Sequence, residues 1–105
     1  KRKMDLDDDL FLVAHDKETV VGTAMAGYDG HRGWIYYLAV SPTHQRTGLG
    51  RQLMAEAERR LLARGCPKVN LQVRMDNPGA VAFYAALGYS TDNVTSLGKR
   101  LVPDD

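Results

Sequence analysis

The run Gln45-Arg46-Thr47-Gly48-Leu49-Gly50-Arg51 places two glycines and two arginines at the head of an amphipathic, helix-like segment. The first amides of a helix have no internal acceptors, and the aligned peptide dipoles add roughly half a positive charge there. Glycine removes the Cβ that would hold a phosphate off those amides. The chemistry to expect is the grip of a phosphorylated cofactor. The surrounding charge agrees: from Ser41 to Arg74 seven Lys/Arg stand against Glu56 and Glu58, in a chain of net charge +1. A local basic field attracts an anionic ligand. Part of it is expected to pair within the helix, because Glu56 precedes Arg60 by one turn.

Three glycine patterns compete for this turn. A P-loop requires a lysine and a hydroxyl after its last glycine, and neither is present. A dinucleotide fingerprint requires a third small residue where Leu53 stands, and an acid at the end of the next strand, which instead ends Val73-Arg74. The pattern Q/R-x-x-G-x-G/A fits Gln45 to Gly50.

A second constellation lies downstream. Asn77-Pro78 opens a helix, with Asn as its cap and Pro in its first turn. Tyr84 follows Asn77 by about two turns, so the two residues share one side of that helix. His15, His31 and His44 all fall at or near turns and are expected to be solvated; His44, beside the glycine turn, is the one to test. Cys66 is the only cysteine. That excludes an internal disulfide or a multi-cysteine metal site, and a small buried hydrophobe is the expectation for it.

The elements that must position these residues follow from periodicity. Leu10 to Ala14, Thr19 to Tyr28 and Trp34 to Val40 read as three antiparallel strands, with Asp29-Gly30 as a hairpin signal and Gly22 and Gly27 as candidate bulges. Leu49, Leu53, Ala57 and Leu61 recur every four residues, widened by Met54 and Leu62, and predict a helix over Gly48 to Arg64 that Gly65 stops. Val69 to Val73 reads as a strand, Pro78 to Leu87 as a helix stopped by Gly88, and Thr95 to Val102 as a last strand. The order βββ-α-β-α-β predicts an α/β fold. It has a mixed sheet, an antiparallel N-terminal meander and a central right-handed βαβ crossover.

At 105 residues the chain is expected to be one domain spanning residues 1–105. Apolar content of 44% and charged content of 26% match a folded globular protein. The near-zero net charge argues against nucleic acid as partner, and no run is long enough to span a membrane. No signal peptide opens the chain, so a cytoplasmic location is expected. The opening Lys1-Arg2-Lys3-Met4, with an acidic run from Asp5 to Asp9 behind it, reads as the tail of a missing N-terminal segment.

The runs Ala26 to Val40 and Leu97 to Leu101 resemble the bacterial YpeA-like group of the GNAT superfamily of acyl-CoA-dependent N-acetyltransferases, and three stretches carry the resemblance to the superfamily itself. They are Tyr37 to Pro42, Gln45 to Gly50, and Asn77 to Tyr89, which fits N-x-x-A-x-x-[F/L]-Y-x-x-x-G-[F/Y]. The resemblance covers Leu10 to Leu101. It implies a fold lacking here its first strand and helices. It also implies acetyl-CoA as cosubstrate, no metal, and transfer of acetyl to a primary amine by direct attack in a ternary complex. By the same resemblance the backbone of Leu38, Ala39 and Val40 holds the pantetheine arm. The amides of Gln45, Arg46, Thr47, Gly48, Leu49, Gly50 and Arg51 cradle the CoA pyrophosphate. Asn77 sits beside the pantetheine, and Tyr84 lies near the thioester sulfur.

With a phenol pKa of about 10 against about 8.5 for a thiol, Tyr84 is the candidate donor to the departing thiolate, a transfer expected to run downhill. The amides of Ala39 or Val40 are candidates to polarise the thioester carbonyl. Gln72 stands where many relatives place a carboxylate base. The proton must then pass through water relayed by Tyr36, Tyr37 or backbone carbonyls, or the amine must already be neutral. The alternative is a non-catalytic acyl-CoA-binding module; a nucleic-acid binder acting through the basic helix is a third reading. A homodimer formed through exposed sheet edges is one further expectation.

Overall fold

Alternating apolar residues build a hairpin, extend it to a meander and then cross over it. A computed structural model describes residues 10–74 and 76–103. The acidic run Asp5–Asp9 and the opening residues lie outside the described residues. The chain divides into two compact units, Lys1–Arg74 and Met75–Asp105.

In the first unit, β1 (Phe11–Asp16), β2 (Thr19–Tyr28) and β3 (Gly33–Val40) pair antiparallel, and β4 (Val69–Leu71) joins β3 in parallel. The sheet order is β1-β2-β3-β4. A 3-10 turn, Pro42–His44, and helix α1, Leu49–Ala63, connect β3 to β4 as the expected crossover. Asp29 makes the β2–β3 corner by accepting hydrogen bonds from the amides of His31 (2.8 Å) and Arg32 (2.9 Å). These bonds hold its carboxyl below the usual range.

The helix stripe is narrower than its spacing predicts. Leu53, Met54, Ala57 and Leu61 are buried against Leu12, Ala24, Ala26 and Ile35, whereas Leu62 is 71% exposed and does not widen the stripe. Burial of a large side chain such as Leu61 contributes about 1.5–3 kcal/mol. α1 ends as its glycine requires: Gly65 sits at φ 89°, its amide donates to Leu62 O, and the Cys66 amide donates to Leu61 O. These are the paired bonds of a Schellman stop. Cys66 is buried, with its thiol donating to Lys68 O at 3.2 Å.

Two register shifts interrupt the meander, and neither falls on a glycine. Val21 is the extra residue between the Ala14↔Gly22 and His15↔Val20 pairs, and Tyr36 is the extra residue between Met25↔Tyr37 and Ala26↔Ile35. Gly22 and Gly27 serve close packing instead. A Cβ on Gly22 would meet Leu53 Cδ1 at 2.9 Å, and one on Gly27 would meet the Tyr36 ring at 2.7 Å. Gly33 is the tightest: its Cβ would lie 2.6 Å from Cys66 Sγ and 3.3 Å from Leu61 Cδ1. Gly33→Ala is therefore expected to lower the unfolding free energy in urea by about 1 kcal/mol through overpacking.

In the second unit, α2 (Pro78–Ala86) starts and stops where its sequence predicts, within a residue. The expected strand Thr95 to Val102 does not form; Leu97, Leu101 and Val102 are 90%, 85% and 71% exposed. A strand needs a ladder partner for its amides and carbonyls, and here Gly98-Lys99-Arg100 also breaks the apolar alternation. β4 likewise ends at Leu71 rather than Val73, because its ladder with β3 stops at Ile35↔Leu71.

Candidate active site

The glycine turn lies between the 3-10 turn and α1. Gly48 is the N-cap of α1 at φ 90°, and no side chain caps the helix. The first helical bond runs from Gln52 N to Gly48 O at 3.0 Å. The amides of Leu49, Gly50 and Arg51 therefore precede the ladder and have no intrahelical partner. Among the described residues nothing beyond its chain neighbours lies within 4 Å of where a Cβ on Gly48 would stand, so the approach to those amides is open on that side. Such a terminus suits a phosphate group.

Charge around the turn sorts itself by pairing. Glu56 accepts hydrogen bonds from Arg59 and from Arg60, the latter at 2.7 Å, and these bonds hold its carboxyl down at about 2. The guanidinium of Arg59 is raised by the same contact. No ion pair engages Arg46 or Arg51 among the described residues. The cations nearest the uncapped amides thus remain available to an anion, as the expectation of partial pairing along the helix requires.

Arg46 carries an unexpected feature. Its φ is 66°, in the left-handed region that residues other than glycine visit rarely. Gln45 braces the same turn by donating from Nε2 to Val40 O at 3.1 Å. Thr47 donates from Oγ1 to His44 O at 2.5 Å. Upstream, the ladder between β3 and β4 ends at Ile35, so the backbone of Leu38, Ala39 and Val40 has no strand neighbour on its β4 side among the described residues. On the other side it pairs with Gly22, Thr23 and Ala24.

His44 corrects its sequence reading. Instead of being merely solvated, its ring bridges Thr43 Oγ1 (3.0 Å, to Nδ1) and Asp16 Oδ2 (3.0 Å, to Nε2). His15 and His31 are exposed, as expected. Gln72 is exposed and follows β4.

In the second unit, Asn77 Oδ1 accepts from Ala80 N at 3.1 Å, the cap its sequence predicts. Tyr84 is held by a device that only becomes visible in three dimensions. Gly88 sits at φ 100°, its amide donates to Ala85 O, and the Tyr89 amide donates to Tyr84 O at 3.0 Å. The ring of Tyr84 then meets Tyr89 edge-on at 5.9 Å and Phe83 at 5.0 Å. Read from sequence, Gly88 is only a stop signal. Its pairing with Tyr89 turns that stop into a clamp on Tyr84. Burial raises the Tyr84 phenol above its ordinary value. It therefore keeps its proton throughout the neutral range.

Among the described residues no group of three or more His, Cys, Asp or Glu could hold a metal ion, and no helix is long and apolar enough to cross a membrane. Residues 2–89 match the Acetyltransferase (GNAT) family. An acetyltransferase of Yersinia pestis (strain Pestoides F) is 47% identical over 104 residues, covering 99% of this chain and 74% of the relative. Among solved structures, a transcriptional regulator from Bacillus halodurans C-125 shares the fold at TM-score 0.81 and 24% identity, over 95% of this chain and 71% of that one. Naa20 of Chaetomium thermophilum, in complex with a bisubstrate analogue, superposes at TM-score 0.76 and 29% identity, over 85% of this chain and 54% of that one. The mixed sheet, the crossover and the uncapped glycine turn at its helix are thus found in a chain that belongs to the GNAT acetyltransferase family.

Proposed function

We propose that this chain transfers the acetyl group of acetyl-CoA to a primary amine by direct attack in a ternary complex. The observation that carries the reading is the uncapped start of α1 behind Gly48, open on the side where a Cβ would stand. An anionic group fits there. The residues proposed to hold the CoA pyrophosphate are Gln45 to Arg51. The backbone of Leu38, Ala39 and Val40, unpaired by β4, is proposed for the pantetheine, with Asn77 as a further contact.

The amine nitrogen attacks the thioester carbonyl carbon, the carbonyl oxygen gains charge, and the C–S bond breaks. An amide of Ala39 or Val40 is proposed to stabilise that oxygen. Tyr84 is proposed to donate to the leaving sulfur. A phenol is a weaker acid than a thiol by about 1.5 pKa units, and burial of Tyr84 widens the gap. Full transfer of its proton to the thiolate is therefore uphill, not downhill as the sequence reading has it. The role that remains is a hydrogen bond to the developing thiolate, with the proton completed from solvent.

With Gln72 unable to accept a proton, the acceptor is expected to arrive neutral, and the proton its nitrogen sheds after attack is proposed to pass to water. An α-amine of pKa about 8 does so far more readily than a lysine of about 10.4. Acetyl-CoA consumption measured with peptides bearing free N-termini, with lysine peptides and with small amines tests this. The expected result is faster turnover with the α-amine. CoA binding without turnover on any amine would instead support a non-catalytic acyl-CoA-binding module, which Gln72 favours.

A further inference from the structure

His44 lies outside the glycine motif, yet it is the residue through which that turn is tied to the far hairpin. We infer that His44, oriented by Asp16, is a positioning residue that preorganises the turn for the cofactor's pyrophosphate; this rests on the acyl-CoA reading above. An ionised carboxylate only accepts hydrogen bonds. Asp16 therefore accepts a hydrogen bond from His44 Nε2 at 3.0 Å. The other ring nitrogen, Nδ1, lies 3.0 Å from Thr43 Oγ1, which in turn lies 3.0 Å from Ser41 Oγ.

The same residues are pinned through their backbones. The Ser41 amide donates to Val21 O on β2 at 2.8 Å, and the His44 amide donates to Ser41 O at 2.8 Å. His44 O takes the Thr47 hydroxyl. The imidazole thus reaches back to the end of β1, while its carbonyl reaches forward to the residue before Gly48. Between them stands Arg46 at φ 66°. A bulky residue there costs of order 1 kcal/mol or more and persists only where its surroundings over-determine it. The Asp16–His44–Thr47 brace is that surrounding. It holds the turn in its open form before any ligand arrives, which removes an ordering cost from binding.

The test measures CoA affinity by calorimetry on the whole chain, with pantetheine, which has no pyrophosphate, as the second probe. His44→Ala is expected to weaken CoA about 10-fold, within the reach of one or two lost hydrogen bonds. Pantetheine affinity and the ligand-free melting temperature should be retained. Asp16→Ala should match it, and the double variant should be no worse than either, because the two act as one device. His44→Gln keeps an amide donor toward Asp16, and Asp16→Asn keeps an acceptor toward His44; both should recover most of the affinity. Wild-type CoA affinity in the alanine variants would overturn the inference alone. Equal losses for CoA and pantetheine would also overturn it, by marking a general structural role. Absence of CoA binding in the unsubstituted chain would remove the acyl-CoA reading and the inference together.

Discussion

Tyr84→Phe is expected to lower turnover about 100-fold while leaving CoA affinity close to that of the unsubstituted chain. The substitution removes one hydroxyl and nothing else that the fold uses. The ring contacts with Phe83 and Tyr89 and the Tyr89 amide bond to the residue-84 carbonyl all survive it. The melting temperature should therefore be unchanged, and a drop in it would point to a structural tyrosine instead. The pH dependence has a definite sign. Burial raises the phenol pKa, so the donor form persists upward from neutrality and is lost only above the ordinary phenol value. A rate measured with an acceptor already neutral should show no fall assignable to Tyr84 between pH 7 and about 10. Full activity of Tyr84→Phe would sink its proposed role and leave the sulfur to solvent.

Gly48→Val is expected to weaken CoA binding about 30-fold, equivalent to roughly 2 kcal/mol of left-handed strain on a residue bearing a Cβ. The strain is conformational, since among the described residues no atom beyond its chain neighbours lies within 4 Å of the added Cβ. At φ 90° the valine either stays strained, with its methyl groups over the first amides of α1, or rotates away and carries the amides with it. Both outcomes damage the cradle. Gly48→Asn separates them: asparagine tolerates the left-handed region, so it should restore stability while still crowding the anion's approach. Calorimetry with CoA and thermal denaturation of both variants check this. Unchanged CoA affinity in Gly48→Val would move the pyrophosphate away from this turn.

Much of the scaffold behind these expectations is legible residue by residue, because its causes are local. The four-residue recurrence of Leu49, Leu53, Ala57 and Leu61 places α1, and Gly65 and Gly88 stop their helices through a backbone conformation open mainly to glycine. Asn77 caps α2 with an oxygen three residues from the amide it accepts. The failures share a physical reason as well. Thr95 to Val102 has the composition of a strand, yet no strand ladder forms there among the described residues; Val69 to Val73 loses its last residues where β3 stops pairing with β4. Pairing depends on distant chain, which a window of neighbouring residues does not contain.

The sequence by itself determined that glycines stand at the head of a helix at Gln45 to Arg51, the basis of the anion site proposed there, because missing Cβ atoms and helical periodicity are properties of that stretch and its neighbours. It also determined the family, through motifs read in order along the chain. Only the tertiary structure decided how the turn is held. Asp16 lies 28 residues before His44, and no spacing rule joins a hairpin aspartate to a histidine beyond the third strand. The same holds for Tyr36, whose place as the extra residue of β3 exists only against its partners on β2. Local chemistry is written in adjacent residues. Bracing and register arise when the chain returns on itself, and they are set by the contacts made there.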